Sequence, residues 1–146
     1  MEPLTAAGRV LVAGLLGWMA WIHLHLWSAG YRHIHTIGPL FLAGAVAAAA
    51  MAVVVVVIPS RILVPAVLAA VGLAGGTLVG LAVSVNGGLF GFRDSMRAPF
   101  ARESVLAESL VLAGGLALVA WQLSGRRRPL RPGSRSDRVR RGRAGG

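Results

Sequence analysis

The feature that most constrains this chain is a set of four long stretches with almost no charge. Between Arg9 and Arg32 there is neither an acid nor an arginine, and a later stretch reads AVAAAAMAVVVVVI. A helix needs about 20 mostly apolar residues to cross the hydrocarbon core of a membrane. Four segments meet that condition, at about 10–27, 37–58, 62–84 and 105–123, the last carrying a single acid, Glu108. Four buried helices of a water-soluble protein would need polar faces toward solvent, and these segments have almost none. The expected fold is all-α: a transmembrane four-helix bundle over residues 1–124 and a disordered Arg-rich tail over 125–146.

Composition agrees. Apolar residues make up 55% of the chain, too many for disorder over most of its length. There is no cysteine, which removes disulfides, thiolate nucleophiles and cysteine-ligated metal or iron–sulfur sites. The first apolar run exceeds the roughly 7–15 residues of a signal-peptide core, and no clear A-x-A-like cleavage site follows, so it reads as a retained span. The breaks are placed sensibly. Pro59-Ser60-Arg61 forms a turn between spans two and three, and Pro39 and Pro65 fall in first helical turns, where a missing N–H is tolerated. Gly30 serves as a helix stop after span one.

The net charge is +10, and all fifteen basic residues are arginine. Nine lie between Arg126 and Arg143, starting with Arg126, Arg127, Arg128 and Arg131. With Arg9 and Arg61 they put the arginine excess on the side of the termini. The positive-inside rule then predicts cytoplasmic termini in a plasma membrane, with loops 28–36 and 85–104 facing outward. The tail has no apolar period, and beside the inner leaflet it should attract anionic lipids, at about 1 kcal/mol per arginine near the surface. Nucleic acid is not an expected partner; the simplest job of such a tail is to fix topology.

Gly72, Gly76 and Gly80 recur every fourth residue and share one face of span three. Such a face lets another backbone approach closely, either within the bundle, the reading preferred here, or across a homodimer. Gly114-Gly115 in span four gives a weaker signal of the same kind.

The chemistry-bearing residues gather at one membrane face. His23 and His25 close span one, His33 and His35 precede span two, and Glu108 sits inside span four from the same side. Counting from the span ends at 1.5 Å per residue puts His23 and Glu108 roughly 5–6 Å below the surface of the bundle. A carboxyl inside a span needs a partner, and His23, His25, Arg32 or a loop arginine is available. The plainest reading is a His–Glu or Arg–Glu clasp between helices. A metal site for Zn or Cu(II) is a second, built from His23, His25, His33, His35 and Glu108. Histidines two apart point in nearly opposite directions on a helix, so each HxH pair would contribute one ligand unless residues 30–35 are extended. One haem held by two histidines, and a proton relay, are further alternatives. In the outer loop, Phe92, Met96 and Phe100 recur every four residues, which predicts a short amphipathic segment lying on the interface as an anchored connector.

The run HLHLWSAGYRHIHTIGPLFLAGAVA followed by GLFGFRDSMRAPFARESVLAE resembles a group of small four-span integral membrane proteins of actinobacteria of unknown function. The likeness covers most of residues 20–110. It implies four helices and a plasma-membrane location, and carries no activity, cofactor or site. The arginine tail lies outside it.

No phosphate-binding loop, dinucleotide fingerprint or catalytic triad pattern is evident. The expectation is a non-enzymatic membrane protein without a cofactor, either structural or an accessory subunit of a membrane complex, with a homo-oligomer or a membrane protein as partner. The alternative is a metal- or haem-binding redox or transport component that uses the outer His/Glu cluster.

Overall fold

The computed structural model describes residues 3–126, apart from the side chain of Arg126. It contains α1 (Pro3–Ala29), α2 (Ile37–Val57), α3 (Leu63–Asn86) and α4 (Ala101–Arg126). Each is long and apolar enough to cross a membrane, which is consistent with a multi-pass membrane protein.

Helices α1 and α4 outrun the apolar spans by the most. α1 starts at Pro3, and α4 starts at Ala101 with Glu103 in its first turn, where a carboxylate complements the helix dipole. Gly125 and Arg126, expected in the tail, continue α4. The reason is that hydropathy fades at the membrane interface, whereas the i to i−4 hydrogen bonds carry on through polar turns. Arg127, Arg128, Arg131 and the rest of the tail lie outside the described residues.

The helices close a ring. α1 packs broadly on α2 and α4, α3 packs on α4, and the α2–α3 seam is the thinnest. The main core joins Val12, Leu16 and Met19 of α1 to Val55, Val67 and Val111 of the other helices. A smaller cluster of Ile22, Leu26 and Ala107 lies toward the end away from the termini, the distal end, flanked by Trp18, Tyr31, Phe41 and Phe100. The outward positions are apolar too: Val10, Leu24, Val46, Val53, Val79 and Leu116 are exposed. A surface like that suits lipid better than water.

At the terminal end, Arg9 is only 3% exposed. Its Nη1 donates to the carbonyls of Ile58 (2.6 Å), Val56 (3.2 Å) and Val55 (3.3 Å), and Nη2 donates to Ser60 Oγ (3.1 Å). The last carbonyls of a helix have no partner within it and carry the negative end of its dipole. Arg9 therefore caps α2 from a neighbouring helix. A second tie at this end runs from Gln122 Nε2 to Thr5 Oγ1 (3.2 Å).

At the distal end, a single helical turn over Tyr31–His33 links α1 to α2. It sits against Gly38, where a Cβ would lie 2.8 Å from the Tyr31 carbonyl and 2.9 Å from that of Arg32. The α3–α4 connection is irregular, so the amphipathic segment expected on Phe92, Met96 and Phe100 is not formed. A tight turn at Phe90-Gly91, with φ of 52° and 79°, is closed by paired backbone hydrogen bonds between Leu89 and Phe92 (2.7 and 2.9 Å). Positive φ at both central residues is the signature of a type I′ turn and is incompatible with a helix. Phe92 packs edge-on to Tyr31 and Phe100 edge-on to Trp21, each at 5.6 Å.

Candidate functional site

The thin α2–α3 seam decides where the interior is not filled. Toward the distal end α2 presents Ala43, Gly44 and Ala47, and α3 presents Gly72, Gly76 and Gly80. With so little side chain on either wall, a cleft of about 560 Å³ remains. A Cβ at Gly72, Gly76 or Gly80 would meet nothing within 4 Å. The glycine face thus borders open space; among the described residues no helix of the bundle lies on it. The close approach of α3 and α4 occurs instead at Gly115, where a Cβ would sit 2.6 Å from Val71 Cγ2 and 3.3 Å from Val67 Cγ1.

His23 from α1 and Glu108 from α4 form the back of the cleft. Gly44 makes room for the imidazole, since a Cβ there would lie 3.0 Å from His23 Cδ2. Both residues are buried, with Glu108 at 2% exposure. His23 Nδ1 is 3.0 Å from the Met19 carbonyl. A carbonyl only accepts, so Nδ1 carries the proton, and in the neutral ring Nε2 is left as an acceptor. That Nε2 faces Glu108 Oε1 at 3.8 Å. The second carboxyl oxygen, Oε2, has no hydrogen-bond partner among the described residues. Because α1 and α4 outrun their apolar spans, the pair lies farther from the helix ends than expected, roughly 9–11 Å from the distal ends of its helices.

Of the five candidate ligands, the structure brings together only His23 and Glu108. His25 points the other way, as its spacing requires, and is exposed, stacked on Trp21 (5.2 Å) with Phe100 edge-on (4.9 Å). His33 and His35 are exposed on the connection. His33 Nε2 accepts from Arg32 Nε (3.0 Å), and His35 Nδ1 lies 3.1 Å from Thr36 Oγ1. Among the described residues, no three His, Asp or Glu side chains are grouped as a metal site requires.

The mouth of the cleft is built from residues that sequence reasoning did not single out. Tyr31 Oη approaches both carboxylate oxygens of Asp94, at 3.4 and 3.5 Å. The Asp94 backbone N–H donates to Ser84 Oγ (3.1 Å), which ties the loop to α3. Partial burial, reinforced by the Asp94 carboxylate, pushes the Tyr31 phenol up from 10.0 to about 12. Thr77 and Ser84 line the wall from α3. One signal was available for them: Thr77, Gly80 and Ser84 share a helical face with no bulky residue.

The lining is mostly apolar, with two carboxyl groups, Glu108 at depth and Asp94 at the mouth, and no arginine. The nearest arginines in sequence are engaged elsewhere, Arg93 Nη2 with the Asn86 carbonyl (2.9 Å) and Arg32 with His33. No known protein family, curated protein or solved structure matches this chain.

Proposed function

We propose that the chain is a non-enzymatic binding protein of the plasma membrane, acting alone or as the accessory subunit of a membrane complex, that holds a small apolar-bodied ligand in the α2–α3 cleft. In this reading the termini are cytoplasmic, as the arginine excess dictates, and the cleft opens in the outer half of the bilayer. The observation that carries it is the cleft itself, of about 560 Å³ and backed by a buried carboxyl whose Oε2 lacks a partner. Small-molecule sites occupy about 300–1,000 Å³, are mainly apolar, and carry a few polar groups that fix orientation. Glu108 lines the cleft, so a ligand there can hydrogen-bond to its carboxyl group, and hydrogen bonds to charged groups contribute about 1.5–3 kcal/mol. Among the described residues the metal reading has His23 and Glu108 to draw on, two ligands where zinc takes three or four from protein.

The test is saturable binding of a compact neutral probe, adamantanol, to protein in lipid nanodiscs, read by ligand-observed NMR. Binding at one site per chain is expected, with loss in Gly76→Leu, which fills open space rather than displacing a neighbour. No saturable binding to the wild type, or equal binding by Gly76→Leu, overturns the proposal.

A further inference from the structure

We infer that the cleft selects an organic ammonium: a lipophilic primary or secondary amine whose N–H group donates to Glu108 while its apolar body fills the space between α2 and α3. This rests on the cleft being a binding site and adds the chemistry of the ligand's head. Three observations converge. Glu108 is buried and lines the cleft, bringing a carboxyl group to it from α4. The lining holds two carboxyl groups, Asp94 and Glu108, and no arginine, so it offers an ammonium its counter-ions and an anion none. His23 Nε2, the acceptor side of a ring whose Nδ1 is committed to Met19, faces the same point.

The polar groups at the back are therefore acceptors in search of a donor. A carboxylic acid or phosphate head would place like charge beside Glu108 and Asp94 without a counter-ion. A quaternary ammonium would match the charge but bring no N–H to the Glu108 carboxyl. An amine supplies both charge and donor. The ring faces of Tyr31, Phe41 and Phe92 around the outer part of the cleft suit the apolar part of such a ligand.

The experiment compares three probes with one hydrocarbon body, adamantylamine, adamantanol and adamantanecarboxylate, titrated into wild type, Glu108→Gln and Gly76→Leu in nanodiscs. The expected order is amine, then alcohol, then carboxylate, with the amine at least about tenfold tighter than the alcohol, as hydrogen bonds to charged groups imply. Glu108→Gln should erase the amine preference yet keep adamantanol binding, which also shows that the variant is folded. Gly76→Leu should lose all three. If amine and alcohol bind equally to the wild type, or the carboxylate binds best, the ammonium assignment is overturned while the cleft remains a binding site. If no probe binds, both fall. Should Glu108→Gln fail to fold, the order of the three probes on the wild type decides alone.

Discussion

His23 and Glu108, eighty-five residues apart in the chain, meet across the α1–α4 seam with Nε2 and Oε1 at 3.8 Å, while the other carboxyl oxygen is buried without a hydrogen-bond partner among the described residues. The contact is too long for a hydrogen bond, so the pair is a weak tie with a free acceptor beside it. A clasp and a binding site differ in what removal of the carboxyl does. A clasp loses stability; a site carrying an unsatisfied acceptor gains it.

Glu108→Met should therefore be neutral or raise the thermal midpoint of the detergent-solubilised protein, since it replaces an unsatisfied buried acceptor with an apolar chain of similar length. His23→Ala should lower stability by about 1–3 kcal/mol, because it removes a buried ring and its hydrogen bond to the Met19 carbonyl. Comparable losses in both variants would identify the pair as a structural clasp.

Arg9 offers a contrasting case, a buried charge with four hydrogen bonds through Nη1 and Nη2, although its Nε has no partner among the described residues. Arg9→Met uncaps the carbonyls at the end of α2 and should cost about 2–3 kcal/mol, read from thermal unfolding in detergent. Arg9→Lys keeps the charge but has one nitrogen, which cannot span Ile58 and Ser60 as Nη1 and Nη2 do, so it should recover only part of the loss. Full recovery by lysine would mean that charge alone matters.

The glycines divide by what surrounds them. Gly76→Ala should be neutral or stabilise by about 0.5–1 kcal/mol, because a methyl group there meets nothing and lowers the entropy cost of ordering a glycine. Gly115→Ala should destabilise by about 1–3 kcal/mol by pushing Val71 and Val67 off α4. Unfolding midpoints of the two variants in one detergent make the comparison. A loss at Gly76 as large as at Gly115 would mean that a second chain covers the α3 face.

Tyr31 is the chain's single tyrosine, so the ultraviolet absorbance of its phenolate reports one group. Its midpoint should appear near 12, and Asp94→Asn should move it down toward 10.0. The folded-state value lies above the ordinary one, so this group's contribution to stability is fully present below 10.0 and is lost as pH rises through about 12. A wild-type midpoint near 10.0, unchanged by Asp94→Asn, would show that the phenol is neither buried nor facing a carboxylate.

Much of the candidate site was half legible. The histidine spacing showed that His23 and His25 cannot serve one site, and the structure buries the first and exposes the second. Glu108 and Gly115 lie seven residues apart, two helical turns, and so share a face of α4, and both are buried. Asp94 gave no such signal. It lies in an irregular loop, and its meeting with Tyr31 depends on the path of the backbone through Gly88 and the Phe90-Gly91 turn, each at positive φ. No periodic pattern records such a path.

The sequence by itself determined four helices, because four nearly uncharged runs of membrane length would have no other way to satisfy their backbone polar groups in lipid. It also determined which residue types sit at which end, since rise per residue is fixed. Only the tertiary structure decided what the small residues are for. A glycine stripe permits close approach and equally permits a void, and the choice depends on which neighbour arrives. In this fold α4 closes on α3 at Gly115, while across the thin α2–α3 seam nothing arrives at Gly72, Gly76 and Gly80. Burial of Glu108 with a free oxygen follows from that same arrangement, in which contacts distant in sequence place one helix's carboxyl beside the space that two others leave open.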